Sequence, residues 1–528
     1  MKYLLQTASV VALAATTLGC STPVPQALTA PDVPAAFTMP IAGDADVWPK
    51  AGWWTEFGSP ELNDLIAEAK AKNTNLAVAI ASVLQAKAQV DVARAALFPD
   101  INLEGSAQRE SEPVSALTST TTTVGGTPVS SSKSGGGKGS NGNVTENSFG
   151  LSADASYALD FWGLAQDNLR AAKESLKAAK FNQEVVALTI VEDVGTTYFN
   201  VLSLRQQIAI AQHNVDAAKS IMTITQAQVT NGIASNLNLA QQEALVDSVE
   251  ATIPVLKEQE REALFALAIL LGRPPEGFDV KGQTLDGIKS PVIAPGLPSS
   301  LLQRRPDVAM AEANLASAHA NVDAARAAFF PAISLTGSGG LSSLALGTLF
   351  TGSSFGWGVG ASLLQTIFDG GKLFGESDLA KSEQKGLIAT YRGAVIQAFS
   401  DVETGLSQVS NYSAEQEALT REVKDSAEAF RISELQYREG IVDLLTVLQT
   451  QQTLFTAEQT QAQAELAHAN AIVGLYKAMG GGWTEAPKDT TQPIPVVTAP
   501  IAATPAPTPP AAAPATSPEA TPAPTPKN

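Results

Sequence analysis

The chain has 528 residues, of which 44% are hydrophobic and 16% charged, and its 34 Lys and Arg against 52 Asp and Glu give a net charge of −18. This acidic balance argues against nucleic-acid binding, because a phosphate-binding surface needs a basic stripe. No internal stretch approaches the roughly 18 consecutive apolar residues of a membrane helix, which excludes a polytopic helical membrane protein. The single cysteine, Cys20, excludes disulfide frameworks and thiolate metal sites.

The N-terminus has the features of an export signal. Lys2 is followed by an apolar run, Leu4–Leu18, that is too short to span a bilayer and suits the core of a signal peptide. Small residues before Cys20 resemble a bacterial lipobox, so residues 1–19 are predicted to be removed and Cys20 to carry a covalent lipid. Residues 20–60 would then be a lipidated linker. The alternative is an ordinary secretory signal with an incidental cysteine.

The body of the chain contains an internal duplication. The segment Val90–Pro99 recurs as Val322–Pro331, 232 residues later. Two pairs of glycines match at an offset of 208 residues: Gly232 with Gly440, and Gly272 with Gly480. Self-similarity at a fixed spacing indicates a duplicated structural unit. The sequence therefore predicts two tandem structural repeats, at residues 61–272 and 306–483.

Each repeat contains two segments in which apolar residues alternate with small or polar ones. They lie at about 99–110 and 148–161 in the first repeat, and at about 331–341 and 354–367 in the second. Segments of about 10 residues with this period fit transmembrane β-strands, although a soluble hairpin with one wetted face gives the same pattern. The Ser/Thr/Gly-rich stretch 118–147 is an expanded loop of the first repeat.

A long helical hairpin follows the strands in each repeat. The segments Gly163–Asn231 and Gly371–Glu439 contain no proline, and apolar residues in the second recur every three or four positions. Each would span about 104 Å as a helix. The hairpin tips are expected at 231–236 and 439–444, where a glycine ends one helix and the next begins within a few residues. The return helices are about half as long.

A shorter helix is predicted before the first strand of each repeat, at Glu61–Phe98 and at Asp307–Phe330. Stacked on a return helix, it would match the length of the outgoing helix. The connector at 273–305 is rich in Pro and Gly and then has to bulge outward as an equatorial belt. The tail at 484–528 is rich in Pro, Ala and Thr and cannot bury a core, so we expect it to be disordered.

Four strands are too few to close a membrane barrel. The smallest such barrels have about eight strands, and open sheet edges are not tolerated in lipid. Several copies of the chain must therefore share one barrel, with eight strands from two copies or twelve from three. Side chains fill a barrel of about eight strands, so twelve strands are favoured for a water-filled lumen.

Three motifs resemble those of a known family. They are Leu301-Leu-Gln-Arg-Arg-Pro-Asp307, Tyr437-Arg-Glu-Gly440 followed by Leu445-Thr-Val-Leu-Gln449, and Leu475-Tyr-Lys-Ala-Met-Gly-Gly-Gly-Trp483. They resemble the outer-membrane efflux lipoproteins, the OprM/NodT-type branch of the TolC family, over roughly residues 20–483. The resemblance implies a mainly α fold with a membrane β-barrel. In that fold a trimeric 12-stranded β-barrel stands over a 12-helix periplasmic α-barrel with an equatorial belt.

The resemblance also implies a function. It indicates the outer-membrane channel of a tripartite RND-type efflux pump, a passive duct that passes drugs or other small molecules to the outside. The implied partners are two further copies in a homotrimer, a periplasmic membrane-fusion adaptor, an inner-membrane RND pump and outer-membrane lipid. Two alternatives stay open: an exit duct for ABC-driven polypeptide secretion, and a structural envelope lipoprotein without a pore.

Residue roles follow from the same resemblance. The implied adaptor-docking residues at the two tips are Gly232, Ser235, Asn236, Gly440 and Asp443. The implied residues of the periplasmic aperture are Tyr437, Thr446 and Gln449. The family signature is Arg304, Arg305, Pro306 and Asp307. Relatives often have Asp where this chain has Gln449, so three copies would form a neutral ring there unless Glu439 or Asp443 supplies the charge.

Catalytic and metal-binding motifs are missing from the sequence. It contains no nucleophile elbow, P-loop or zinc-protease motif, so we expect no enzymatic activity and no cofactor besides the lipid on Cys20. The three histidines, His213, His319 and His468, are far apart, and the chain has only five Met. Metal ligation is therefore not expected, and heavy-metal export is disfavoured.

Overall fold

The computed structural model describes residues 34, 37–38, 48–113, 122–124, 127–129, 143–291 and 298–483. The signal segment, Cys20, most of the Ser/Thr/Gly-rich stretch and the proline-rich tail lie outside the described residues. The helices in chain order are α1 (Pro60–Lys72), α2 (Thr74–Ala95), α3 (Leu164–Thr230), α4 (Asn236–Leu270), α5 (Pro298–Leu301), α6 (Pro306–Ala327), α7 (Lys372–Arg438) and α8 (Leu444–Ala478). A short 3₁₀ helix, Trp53–Phe57, precedes α1.

The strands form one main sheet. They are β1 (Asp100–Pro113), β2 (Thr122–Val124), β3 (Thr127–Val129), β4 (Asn143–Leu159), β5 (Ala332–Ser343) and β6 (Phe355–Leu364). Four of them pair antiparallel in the order β1-β4-β5-β6, and β2 pairs with β3 inside the stretch expected to be a loop. Leu159 lies opposite Ile333, so the two repeats join in the middle of the sheet. Among the described residues, no strand pairs with the outer edge of β1 or of β6.

The two faces of the sheet differ in chemistry. Along β6, Trp357 and Val359 are 75% and 80% exposed, and they alternate with Gly356, Gly358 and Gly360. Because successive strand residues point to opposite faces, one face of β6 is apolar and the other is lined by small residues. This alternation is typical of a strand with lipid on one side and a lumen on the other.

The outgoing helices α3 and α7 have the same length, 67 residues, or about 100 Å. The return helices α4 and α8 have 35 residues each, and α4 continues through Pro254. By length and hydropathy α2 and α3 could each cross a membrane. However, α3 packs against α2, α4, α6 and α8, as a core helix of a helical assembly does.

The prediction of one helix over Glu61–Phe98 is wrong, because the helix breaks at Asn73. This residue has extended backbone angles and is the N-cap of α2. Its Oδ1 accepts hydrogen bonds from the backbone N–H groups of Asn75 and Leu76, at 2.8 and 3.1 Å, and its Nδ2 donates to the carbonyl of Leu270 at 2.8 Å. Asparagine is among the strongest N-cap residues, but the apolar pattern continues across it and hides the break.

The largest buried core lies at mid-height, between the short N-terminal helices, the middle of α3 and α7, and the C-terminal ends of α4 and α8. Trp53 stacks on Tyr476 with ring centroids 4.5 Å apart, and Phe57 packs against Phe199 at 5.3 Å. Aromatic pairs of this kind add to the stabilisation from burial alone. This core therefore ties the N-terminal segment to both repeats.

Candidate functional site

The first hairpin tip is a tight glycine turn between α3 and α4. Gly232 has a positive φ of 72°, and the N–H of Ile233 returns to the carbonyl of Gln228 at 2.8 Å. This arrangement ends the helix by satisfying its last carbonyls. Ser235 then caps α4, because its Oγ accepts from the N–H of Asn238 at 3.4 Å. Asn236, the first residue of α4, is exposed.

The second tip repeats this turn with a charged cap. Gly440 also has a φ of 72°, and the N–H of Ile441 returns to the carbonyl of Gln436 at 2.8 Å. Asp443 caps α8 by accepting from the backbone N–H and the hydroxyl of Thr446, at 3.0 and 2.7 Å. Both hydrogen bonds lower the pKa of Asp443, and the one from the Thr446 hydroxyl has the larger effect. The Asp443 carboxylate therefore stabilises the N-terminus of α8 as an ionised cap.

Each tip also displays a pair of exposed apolar side chains, Ile233 with Leu237 and Ile441 with Leu445. Ile233 is 76% exposed and Ile441 is 70% exposed. Sequence reasoning assigned docking to the glycines and to the polar residues of the tips and not to these four side chains, although they recur at the same offset of 208. Matching apolar pairs at the ends of polar helices form a ready contact surface.

Tyr437 is buried behind the second tip and connects the two hairpins. Its hydroxyl lies 2.9 Å from Oγ1 of Thr225 on α3. It packs with Ile221, Leu444 and Val447 in a small apolar cluster. The second tip is thus fastened to the first repeat through Tyr437. Of the other two residues assigned to the aperture, Thr446 is half-buried at the cap and Gln449 is exposed one turn further along α8.

The signature residues form a joint at mid-height and are remote in sequence from both tips. Arg305 is buried; its Nε and Nη2 donate to Asp307 at 3.0 and 2.7 Å, and Nη2 donates to Asp401 at 2.8 Å. Its Nη1 donates to the carbonyl of Ala478 at the end of α8, at 3.1 Å. Burial acts to lower the pKa of Arg305, but the two carboxylates outweigh it and raise the pKa. Arg304 instead lies over the ring of Trp48, 4.7 Å from the ring centre.

Arg205 anchors the connector to α3, and sequence reasoning missed it. Its Nη1 donates to the carbonyls of Val280 and Gly282, both at 2.7 Å. Its Nε donates to Glu260 at 2.7 Å, and its Nη2 pairs with Asp279. One guanidinium therefore holds two carbonyls and two carboxylates, a role for which its fork of donors is suited.

Glu61 holds the same part of the connector from the other side. Its carboxylate accepts from the backbone N–H groups of Lys281 and Gly282, at 2.6 and 2.9 Å. It also accepts from the hydroxyl of Tyr198 at 3.0 Å. Burial raises the pKa of Tyr198 to about 12, so this hydroxyl stays a donor. No sequence motif marked either Glu61 or Arg205, because their partners, among them backbone groups of the connector, are far away in the chain.

Exposed aromatic residues gather where the strands meet the helices. Phe161, Trp162, Phe330, Phe368 and Phe374 are all exposed. Trp162 stacks on Phe330 at 4.8 Å and donates its Nε1–H to the carbonyl of Pro331 at 2.8 Å. Aromatic side chains with one polar group are enriched at membrane–water interfaces, and girdles of them flank membrane barrels. This level of the molecule fits a membrane boundary.

The family model that matches the chain is "Outer membrane efflux protein", over residues 65–273 and 297–481. The pyoverdine export outer membrane protein OpmQ of Pseudomonas aeruginosa is 37% identical over 450 residues, which are 85% of this chain and 91% of OpmQ. The cation efflux system protein CusC of Escherichia coli is 30% identical over 478 residues, which are 89% of this chain and 98% of CusC.

Solved structures show the same fold. The outer-membrane channel OprN superposes with a TM-score of 0.76 and 25% identity, covering 85% of this chain and 97% of OprN. The open state of the Neisseria gonorrhoeae MtrE outer membrane channel superposes with a TM-score of 0.74 and 29% identity, covering 86% and 96%. Relatives and structures agree on a channel and not on an enzyme. The chain therefore belongs to the outer membrane efflux protein family, as a TolC-type outer-membrane component of an efflux pump.

Proposed function

We propose that three copies of the chain form the exit duct of a tripartite pump, together with a periplasmic membrane-fusion adaptor and an inner-membrane RND pump. The observation that carries the proposal is the separation of two surfaces. The sheet lies at one end of α3 and α7, and the apolar tips lie at the other, about 100 Å away at 67 residues per helix. That distance suits a duct that crosses the outer membrane and reaches a partner across the periplasm.

The membrane part of the duct is a 12-stranded barrel built from three four-stranded sheets. In this proposal β6 of one copy pairs with β1 of the next, since these are the two edges that lack a partner among the described strands. Pairing them leaves no open edge in lipid. Below the barrel, the helices of three copies form a 12-helix periplasmic barrel with the connectors as its belt.

The two tips bind the adaptor through their apolar pairs and the glycine turns. Gly232→Glu and Gly440→Glu would place a charge beside each pair, so export should be lost while assembly and membrane insertion persist. Gly277→Glu is the matched control, because Gly277 in the connector also has a positive φ, of 71°, and open space around it. Export assays on intact cells read the outcome. Wild-type export by both tip variants would contradict tip docking.

Tyr437, Thr446 and Gln449 belong to the periplasmic aperture in this proposal. Tyr437 holds the second hairpin against α3 through Thr225, and Gln449 presents an uncharged amide to solvent. Asp443 is used as a helix cap. The ring formed by Gln449 would therefore be neutral, while Asp443 and Glu439 would add exposed carboxylates nearer the tip.

The cargo we propose is a small exported molecule of the kind that the OpmQ relatives carry, and not a metal cation. The relatives named for pyoverdine export are 37% and 36% identical to this chain, and those named for cation efflux are 30% identical. Within the described residues no cluster of three or more His, Cys, Asp or Glu could hold a metal ion. A deletion strain should retain its pyoverdine-type metabolite inside the cell at unchanged metal tolerance. Loss of metal tolerance with normal secretion would contradict this cargo.

The N-terminal segment anchors the protein to the membrane in this proposal. Residues 1–19 are the lipoprotein signal, Cys20 carries the lipid and residues 20–60 link it to the repeats at 61–272 and 306–483. Metabolic labelling with palmitate tests the anchor. The wild-type protein should be labelled and Cys20→Ser should not, and label retained by the Cys20→Ser variant would contradict lipidation at this residue.

A further inference from the structure

We infer that a cavity beneath the connector binds a small zwitterion, a molecule such as an amino acid or a dipeptide that carries both an ammonium and a carboxylate group. The cavity is formed within one copy of the chain and includes no residue of the strands or of the hairpin tips. Side chains of both charges line it without forming an ion pair among the described residues. A ligand that carries both charges would satisfy them together.

The cavity lies between the connector, the 3₁₀ helix that ends at Phe57, and helices α7 and α8. Its volume is about 230 Å³. Pockets for drug-sized molecules usually have about 300–1,000 Å³, so this cavity suits a smaller ligand. Its apolar lining consists of Phe57, Leu285, Ile288 and Ala469.

The connector side of the cavity is fixed by hydrogen bonds. The backbone N–H of Lys289 donates to the carbonyl of Phe57 at 3.0 Å, and the N–H of Ile288 returns to the carbonyl of Leu285 at 2.9 Å. Just upstream, Arg205 holds the connector to α3. A ligand therefore does not have to order this loop when it binds, which removes one of the costs of binding.

Two carboxylates of the cavity lack a cationic partner. Glu465 on α8 is half-buried, and Asp286 on the connector is exposed. Glu465 accepts a hydrogen bond from the neutral amide of Gln206 at 3.0 Å, and neither carboxylate forms an ion pair within the described part of the chain. Burial is the main cause of the raised pKa of Glu465, and the charge of Asp286 adds to it. An ammonium group placed beside Glu465 would offset both effects.

The same cavity also offers groups for a carboxylate. Lys289 and Ser290 are exposed on the connector, and His468 is half-buried on α8. None of these three side chains has a hydrogen-bond or ion-pair partner among the residues that the structure describes. Burial lowers the pKa of His468, so its imidazole is neutral and can donate one hydrogen bond. Lys289 would repel a simple cation, which favours a zwitterion.

The first repeat uses the corresponding positions for an internal contact. At the offset of 208, His468 is equivalent to Glu260 and Glu465 to Lys257. Glu260 accepts from Nε of Arg205 at 2.7 Å and so helps to secure the connector. Helix α8 makes no such ion pair with these two residues in the described chain. The polar groups of α8 are therefore free for a ligand where those of α4 are used by the fold.

Saturation-transfer NMR titrations on the full-length protein in deuterated detergent test the site. Glycylglycine is the probe because it carries both charged groups, whereas methylamine and acetate carry one each. Glycylglycine should bind, and methylamine and acetate should bind at least about 10-fold more weakly, since each loses the hydrogen bonds of one charged group.

Two variants each remove one charge from the cavity. Glu465→Gln keeps an acceptor for Gln206, and Lys289→Met keeps the apolar stem. Each should weaken the binding of glycylglycine by about 10-fold or more. Glu458→Gln is the matched control, because Glu458 is another half-buried carboxylate of α8 that does not line the cavity. This variant should bind glycylglycine as the wild-type protein does.

The outcomes are clear in both directions. Binding of glycylglycine that Glu465→Gln and Lys289→Met weaken, and Glu458→Gln does not, supports the site. No binding to the wild-type protein, or equal binding by all variants, would overturn it. Methylamine that binds as tightly as glycylglycine would overturn the assignment to a zwitterion. Each result is read without an export assay, so a failure here leaves the proposed duct standing.

Discussion

The two repeats form the same joint at mid-height but secure it differently. In the first repeat, a side chain added at Gly272, just after α4, would lie 2.5 Å from the carbonyl oxygen of Lys72. In the second, one added at Gly480, just after α8, would lie 1.8 Å from that of Arg304. Both pairs are related by the repeat offsets. The backbone contact between the end of a return helix and the start of a short helix is therefore common to both copies.

The side chains beside this contact have diverged. Asn73 and Arg305 are both N-cap residues at equivalent positions. Asn73 donates to the carbonyl of Leu270, and Arg305 donates to that of Ala478, the equivalent residue. Asn73 caps its helix as a neutral side chain, whereas Arg305 needs Asp307 and Asp401 to balance a buried charge. The close backbone contact is therefore the element that both repeats share, and the side chains that secure it can vary.

The largest expected effect comes from filling the shared contact. Gly480→Ala or Gly272→Ala adds a methyl group against a backbone carbonyl and also forces alanine into a positive φ, of 86° or 67°. Together these should destabilise the fold by about 3 kcal/mol or more. Gly277→Ala has a positive φ but open space, so it should cost only about 1–2 kcal/mol. Thermal unfolding in detergent ranks the three, and equal losses would contradict the close contact.

The next largest effect distinguishes the charged side chain at the joint, Arg305, from the neutral one, Asn73. Arg305→Met removes the cation but leaves Asp307 and Asp401 without it, which should cost about 3–5 kcal/mol. Asn73→Ala removes a neutral cap and should cost only about 0.5–2 kcal/mol. Combining Arg305→Met with Asp401→Asn should recover part of the loss, since one uncompensated charge is then gone. Guanidinium unfolding of the purified protein measures all three, and a larger loss for Asn73→Ala would reverse the comparison.

A smaller effect is expected at the tips, where the repeats differ by one tyrosine. Tyr437 stands at the position equivalent to Val229, and its hydroxyl meets Thr225 at 2.9 Å. Tyr437→Phe removes one hydrogen bond, worth about 0.5–1.5 kcal/mol. That energy corresponds to a change of about 2- to 12-fold in an equilibrium constant, so the open population of the second hairpin should rise by this factor. Single-channel recording shows the change, with Tyr412→Phe, elsewhere on α7, as the control. Unchanged opening would exclude this hydrogen bond from the aperture.

The smallest effect is a pH dependence confined to the second tip. The pKa of Asp443 is lowered below its ordinary value of 3.8 by the Thr446 hydroxyl and the backbone N–H. A lowered pKa means that this cap stabilises the fold above the ordinary value and is lost as pH falls through the lowered one. Ser235, the equivalent cap, does not titrate. The protection of the amide hydrogens at the start of α8, expressed relative to their intrinsic exchange rates at each pH, should hence be constant from pH 5 to 8. A change in protection within that range that Asp443→Asn removes would contradict this assignment.

Much of this architecture can be predicted from local sequence patterns. The alternating segments and the glycine turns at Gly232 and Gly440 depend on residues close in sequence, so the strands and tips were predictable. The break at Asn73 was not, because an asparagine inside an apolar pattern is read as a helix residue until its partner Leu270 is known. Arg205 and Glu61 were missed for a similar reason, since they hold backbone groups of the connector far away in sequence. Such long-range anchors leave no spacing signal.

The two hairpin tips, at Gly232 and Gly440, are the proposed docking surface for a periplasmic partner. A photo-crosslinking amino acid at Ile233 or Ile441, which are exposed at the two tips, tests it most directly in living cells. The same label at Ile269 is the control, because this exposed residue lies 33 residues along α4 from its start. Both tip positions should capture a membrane-fusion adaptor, identified by mass spectrometry, and Ile269 should not. Capture of the adaptor only at Ile269, or of no adaptor at either tip, would contradict it.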